Sequence, residues 1–327
     1  MNPPPVNFPA TAARSAFLWI GLLTFAPAAA RAQSAQQNTI ATRPPDITAA
    51  AALFGGLEAE QNEDGTTSAP TSPGDADLGD QVIFEAPDQY SPLKISLQTQ
   101  GNFTSNAGLT DSGELEDYFI YSELGVRYIP RITDTLFGNF SANYGLYRYN
   151  DHSSFDFDSF DTTAGLMKVV SELDNLVVWA NYGYTRLTEG GGGRDELLAD
   201  HSIELGLYYP MPIREKHFAF ASYLSAFSVA GDPDFARRDE HGLTLGYAFL
   251  PTEDVEISAY YQVFYYDYVR NGRRDFLHDI GLSVERNLAK GVSVGLQVSY
   301  SINESNIRDG DYAVGEIGAS LVASIQF

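Results

Sequence analysis

Residues 292–302 read Val-Ser-Val-Gly-Leu-Gln-Val-Ser-Tyr-Ser-Ile, and their strict alternation constrains the fold more than any other feature. Val292, Val294, Leu296, Val298, Tyr300 and Ile302 fall on one face. Ser293, Gly295, Gln297, Ser299 and Ser301 fall on the other. A period of two over this length is a half-buried strand, and its length matches the roughly 9–11 residues that cross a bilayer at a tilt. The same texture recurs from Ser91 to Phe327. It predicts strands near 93–104, 117–129, 135–149, 159–170, 175–187, 201–210, 217–229, 240–250, 254–267, 275–287, 291–303 and 313–327.

The connections carry the topology. Five are short: Pro130 to Asp134, Ser171 to Asp174, Met211 to Lys216, Pro251 to Glu253 and Leu288 to Lys290. They alternate with six longer, acidic or Gly-rich ones: Ser105 to Glu116, Asn150 to Asp158, Thr188 to Asp200, Ala230 to Asp239, Tyr268 to Arg274 and Glu304 to Asp311. Short turns at one end and longer loops at the other are the mark of a transmembrane barrel. The reading is therefore all-β: a transmembrane antiparallel up-and-down β-barrel of about 12 strands, with both termini on the periplasmic side.

A soluble barrel points its apolar face inward and a membrane barrel points it outward, so periodicity alone does not choose. Composition does. The second face is mainly Gly, Ser, Thr, Asn and Gln, where a solvated surface would carry many more charges. The chain holds 20 Tyr and 20 Phe. Phe103, Tyr118, Tyr184, Tyr265 and Phe276 lie toward the long loops, and Tyr128, Tyr209, Phe249 and Phe327 toward the short turns, as two aromatic girdles.

Residues 1–32 read as a signal peptide: Arg14, an apolar run from Ala16 to Ala30, and the Ala30-Arg31-Ala32 cleavage site. Residues 33–90 are polar, acidic and without sustained periodicity, a disordered periplasmic segment. A short helix at 47–60 and an apolar patch at Val82-Ile83-Phe84 are expected within it, and its role is read as a spacer, with a plug or a tether for a periplasmic partner as the functional alternative. The barrel domain is 91–327. The formal charge of −23 excludes nucleic acid as a partner, and the absence of Cys excludes both disulfides and a lipidated N-terminus.

The terminal strand alternates from Ile317 through Leu321 and Ile325 and ends on Phe327. With the cleavable signal, this resembles the single-chain outer-membrane β-barrel proteins of double-membraned bacteria, over about residues 91–327. The resemblance implies an outer-membrane location, membrane lipid as solvent, and Phe327 as the signal read by the barrel-assembly machinery. It is to a class, and carries over no functional site.

No catalytic, cofactor or metal motif stands out. A rim-site hydrolase would need a Ser and a polar orienter beside a His. His278 falls on the apolar parity with no Ser at a defined spacing, while His152, His201 and His241 lie near long loops. Asp156, Asp158 and Asp161 lack the Gly and terminal Glu of a calcium loop and read as a solvated loop. Gly190 to Gly193 lack a phosphate loop's Lys and read as a flexible tip.

The informative surface is the lumen. Parity assigns to it Lys94, Glu123, Arg127, Trp179, Asn181, Glu204, Tyr208, Glu256, Tyr260, Gln262, Glu285 and Glu316, with Tyr266 beside them. Lys94, Arg127, Glu256 and Glu285 fall near the periplasmic end. The functional expectation is a porin-like channel or transport barrel for small solutes or an exported polymer, favouring cations if water-filled. The alternative is a structural or surface-binding barrel with an occluded lumen; a hydrolase is a third.

Overall fold

The computed structural model describes residues 90–190, 195–214, 216–270, 272–308 and 310–327. The signal peptide, the 33–89 segment with its expected helix and apolar patch, and most of the glycine run lie outside the described residues. Twelve strands form a closed antiparallel barrel in which every strand pairs with its neighbours in sequence and β1 pairs with β12. They are β1 (Leu93–Thr104), β2 (Asp117–Tyr128), β3 (Leu136–Tyr149), β4 (Phe157–Val170), β5 (Leu176–Glu189), β6 (Glu196–Arg214), β7 (His217–Asp232), β8 (Arg238–Thr252), β9 (Val255–Tyr268), β10 (Arg274–Ala289), β11 (Val292–Ser305) and β12 (Tyr312–Gln326). Closure satisfies the backbone groups of both edges at once, the only way a sheet can sit in hydrocarbon. At the seam the backbones of Leu93 and Phe327 exchange two hydrogen bonds, at 2.9 and 3.2 Å.

The alternation resolves into an inside and an outside. On β11, Leu296 is 65% and Val298 47% exposed, while Ser293, Ser299 and Ser301 on the other parity are buried. Leu97, Leu124, Leu205, Leu245, Ile280 and Leu321 repeat this outward exposure around the ring. A continuous exposed apolar band of this kind is uneconomical in water and suits lipid. Outward aromatics meet across strands near its margins: Phe103 with Tyr118 at 5.2 Å, Tyr265 with Phe276 at 5.0 Å and Tyr128 with Phe140 at 6.3 Å between ring centroids.

Several strands run beyond their expected ends. The clearest case is β6, which continues through Pro210, Met211 and Pro212 to Arg214, where the sequence reads as a short turn. Its ladder to β5 stops at Tyr208, so past that point β6 has a partner only on the β7 side. A proline, which has no N–H to donate, is tolerated on such an edge. At the other end β6 begins at Glu196 and β7 reaches Asp232, so the expected loop at 188–200 is shorter. Conversely, the connection from β2 to β3, expected at 130–134, spans 129–135, as long as the connection from β3 to β4. The alternation of short and long connections is consequently less strict than the sequence pattern.

Candidate functional site

The lumen wall is built by the inward parity of each strand. All twelve residues assigned to it from the sequence occupy that parity in their strands: even positions on β1, β6, β9 and β12, odd positions on β2, β5 and β10. Two pairs stand directly opposite one another across neighbouring strands at the short-turn end, Lys94 with Arg127 and Glu256 with Glu285. The first pair is on β1 and β2, the second on β9 and β10, so the two charges of each sign occupy different arcs of the wall.

Bulky lumen residues fold against the wall. Trp179 faces Gly206, Phe220 faces Gly246 and Tyr260 faces Gly281, each as a cross-strand partner. In all three cases the ring occupies the space that a Cβ on the glycine would fill. A side chain on the neighbouring strand would push these rings toward the axis, so the glycines keep the wall thin.

The lumen carries apolar clusters at both ends: at the short-turn end Phe137, Val177, Tyr208 and Phe220 pack together with Trp179, and at the long-loop end there are two. One apolar cluster joins Phe119, Tyr121, Tyr147, Tyr149 and Phe157 with Leu187 and Leu198. Its rings are closely stacked, with Tyr147 and Phe157 at 4.0 Å and 12°. A second, on the opposite arc, holds Tyr266, Tyr268, Leu277, Tyr312 and Val314. The first long loop connects them: Ala107 belongs to the first cluster and Leu109 to the second. Asn106, fully buried, fixes that loop. Its Nδ2 donates to the carbonyls of Thr110 at 2.8 Å and of Ala313 on β12 at 3.0 Å, and its Oδ1 accepts from the Thr110 N–H at 3.2 Å. This inward-folded loop went unnoticed in the sequence, where it resembles any polar connection.

The electrostatics of this half are acidic. Arg238, stacked 3.8 Å above the Tyr266 ring, is bonded to Glu240 at 2.8 Å. Arg273 grips Asp275 through two hydrogen bonds of 2.8 and 2.6 Å. Three other inward carboxylates have no ion pair among the described residues. Glu204 faces Asn181 and Ser202, both at 3.5 Å; Asp279 accepts from the Ser301 hydroxyl at 2.8 Å; and neither oxygen of Glu316 makes a hydrogen bond of good geometry. Above the rim, Asp234 is held below the usual carboxylate range by its hydrogen bond from Arg237 at 2.9 Å and by Arg270 beside it.

Other expected features find separate places. Asp156 caps the Tyr149 N–H at 2.8 Å, Asp158 pairs with Arg148 at 2.5 Å, and Asp161 accepts from Thr185 at 2.8 Å. The three do not converge on a common point. The histidines show a repeat that the sequence hid: on three successive hairpins an outward His bonds an outward Tyr of the preceding strand, namely His201 with Tyr182 at 2.5 Å, His241 with Tyr223 at 3.3 Å and His278 with Tyr261 at 2.8 Å. Ser225, directly opposite His241, also lies 2.8 Å from its Nδ1. That is the Ser–His contact a hydrolase needs. Yet among the described residues the neighbours of the His241 ring besides Ser225 are Phe227, Tyr265 and Tyr223, and no hydrogen bond joins it to a carboxylate. The same His–Tyr bond recurs without a serine at the other two hairpins, which makes it an interfacial device.

No family model matches the sequence, and no curated protein matches it. Among solved structures, the fold is similar to an outer-membrane channel from Pseudomonas putida F1, at 14% identity over 78% of this chain and 100% of that one, with a TM-score of 0.50. It is more distantly similar to the translocator domain of the autotransporter NalP from Neisseria meningitidis (12% identity, 74% and 90% coverage, TM-score 0.43) and to the KdgM porin (9%, 70% and 99%, TM-score 0.39). At these identities the likeness is one of fold: the chain has the architecture of bacterial outer-membrane β-barrel channels.

Proposed function

We propose that this chain is an outer-membrane channel for small cations and small cationic solutes, oriented with its termini in the periplasm and its long loops outside. Residues 1–32 then serve as the export signal, 33–90 as a periplasmic tether, and Phe327 as the end that the assembly machinery reads. The observation that carries the reading is the set of inward carboxylates without basic partners, Glu204, Asp279 and Glu316. In a narrow lumen with low-dielectric walls their field is screened less than on an open surface, and it concentrates cations. The glycines opposite Trp179, Phe220 and Tyr260 support a path, since these rings lie along the wall where a side chain on the facing strand would push them inward.

The aromatic clusters favour a second reading, an occluded barrel that works through its loops. Ala107 and Leu109 join the two lobes and narrow the long-loop end. Planar-bilayer recording separates the two. The channel reading expects single-channel steps and a reversal potential in a salt gradient displaced toward the cation equilibrium. A purified, folded protein that gives no steps under any voltage would favour the occluded barrel.

A further inference from the structure

We propose that Glu316 and Asp279 form a binding site for one hard divalent cation of calcium size in the inner wall of β10, β11 and β12. The inference deepens the channel reading, because the site lies on the same acidic surface, but it rests on its own geometry.

Glu316 is only 5% exposed; neither of its oxygens makes a hydrogen bond of good geometry, and the Thr104 hydroxyl on β1 compensates its carboxylate only weakly. A buried carboxylate with little to compensate its lost hydration is strongly unfavourable. The register surrounds it with oxygen donors. Ser299 is its partner on β11 and Thr104 its partner on β1, and both are inward and buried. One pleat nearer the long loops, Ser301 on β11 stands opposite Asp279 on β10 and donates to it at 2.8 Å. Thr104, three strands from Asp279, serves the Glu316 carboxylate alone, so the set around one ion is two carboxylates and the two serine hydroxyls. It contains no nitrogen or sulfur donor, and neither acid has an ion pair among the described residues.

That chemistry selects among ligands. Oxygen-only donors suit a hard cation, and two carboxylates neutralise a divalent one. Hydroxyls and acids drawn from three strands, completed by water, give the irregular shell that calcium accepts and that the strict octahedron of magnesium resists. With only two acids in the group, water must complete the shell. Such a water would also accept from the Asn102 Nδ2, a buried donor lacking a partner two residues before Thr104 on β1.

Terbium luminescence tests the site, since Tb³⁺ resembles calcium in size and Tyr260 and Tyr312 lie on the neighbouring wall to sensitise it. The purified, folded protein is titrated with Tb³⁺ in detergent and back-titrated with calcium, and its unfolding temperature is followed as calcium rises. The expected result is a calcium-displaceable signal and an unfolding temperature that climbs with each tenfold increase in calcium. Both should weaken at least tenfold in calcium affinity in Glu316→Gln and in Asp279→Asn, and stay unchanged in Glu172→Gln, an exposed acid at a short turn. Glu316→Gln removes the weakly compensated charge, so it should fold at least as well as the wild type without calcium. A wild type indifferent to calcium, or a Glu316→Gln protein with the wild-type response, overturns the proposal and means that the pair is neutralised by a proton. Cation-selective current without a calcium response would retain the channel and remove the site. A calcium response lost in Glu316→Gln in a protein without conductance would retain the site and remove the channel.

Discussion

Replacing Asn106 by Ala should open the long-loop end of the barrel. The side chain makes three good hydrogen bonds, two from Nδ2 at 2.8 and 3.0 Å and one to Oδ1 at 3.2 Å. At about 0.5–1.5 kcal/mol net for each bond, with the Thr110 and Ala313 carbonyls losing a donor, the loop should lose about 2–5 kcal/mol of local stability. At 1.4 kcal/mol per factor of ten, the closed-to-open equilibrium of residues 105–110 shifts by roughly 30-fold to several thousand-fold. The strands should hardly notice, because their ladders do not pass through this side chain. Two measurements report it. Amide exchange at Ala107, whose N–H donates to the Leu115 carbonyl at 2.7 Å, should accelerate by the same factor. Single-channel conductance should rise as Leu109 and Ala107 leave the two aromatic lobes. Asn106→Asp keeps the acceptor for the Thr110 N–H but loses both donations, and should fall between. Unchanged exchange at Ala107 together with unchanged conductance would refute the idea that this loop bridges the lumen.

Val298→Arg, at the middle of β11 and 47% exposed, should destabilise the barrel by about 2–4 kcal/mol in lipid, as a cation facing hydrocarbon does, whereas Gln297→Arg on the lumen side should cost less. Denaturant unfolding in vesicles measures the difference, and equal losses would mean the faces are reversed. Deleting Phe327 or replacing it by Asp should lower the amount of assembled barrel in the membrane without changing export; normal insertion of Phe327→Asp would remove the assembly role. Replacing both Glu256 and Glu285 by Gln should move the reversal potential in a salt gradient toward anions, and no change in selectivity or conductance would show that this pair does not line a working path.

The faces and the pairing were legible because both follow from a period of two. Once Val298 points outward, every residue of its parity on β11 does too, and the hairpin turns propagate the choice to the next strand. The same logic set Lys94 against Arg127 and Glu256 against Glu285. Features that depend on distance along the ring were not legible. Proline at 210 and 212 argues against a strand until β5 is seen to stop short of them. Ser225 meets His241 only because β7 and β8 take one particular register, and the shift between His201 and Ser202 shows how easily a bulge alters such a match. The burial of Asn106 is set by β12, more than two hundred residues away, and nothing local in the loop announces it.

The two halves of the lumen fit one scheme better than they fit two. Apolar lobes at the long-loop end remove water and polarisable groups from around the acids below them, so each uncompensated charge reaches further across the path. Arg238 and Arg273 do not cancel that field, because each is already committed to its own carboxylate, Glu240 and Asp275. What remains are the inward carboxyl groups of Glu204, Asp279 and Glu316, without ion pairs among the described residues and set beneath the aromatic clusters. At the opposite end the arcs divide, with Lys94 and Arg127 on one and Glu256 and Glu285 on the other, so the field there runs across the opening. In the channel we propose, an ion entering from the long-loop side would meet selection by size at the aromatic clusters and by sign below them. One entering from the short-turn side would meet a transverse field that steers it toward the β9–β10 wall. Along that wall, β10 carries Glu285 at one end and Asp279 nearer the other, which makes it the track along which a cation would be handed across the barrel.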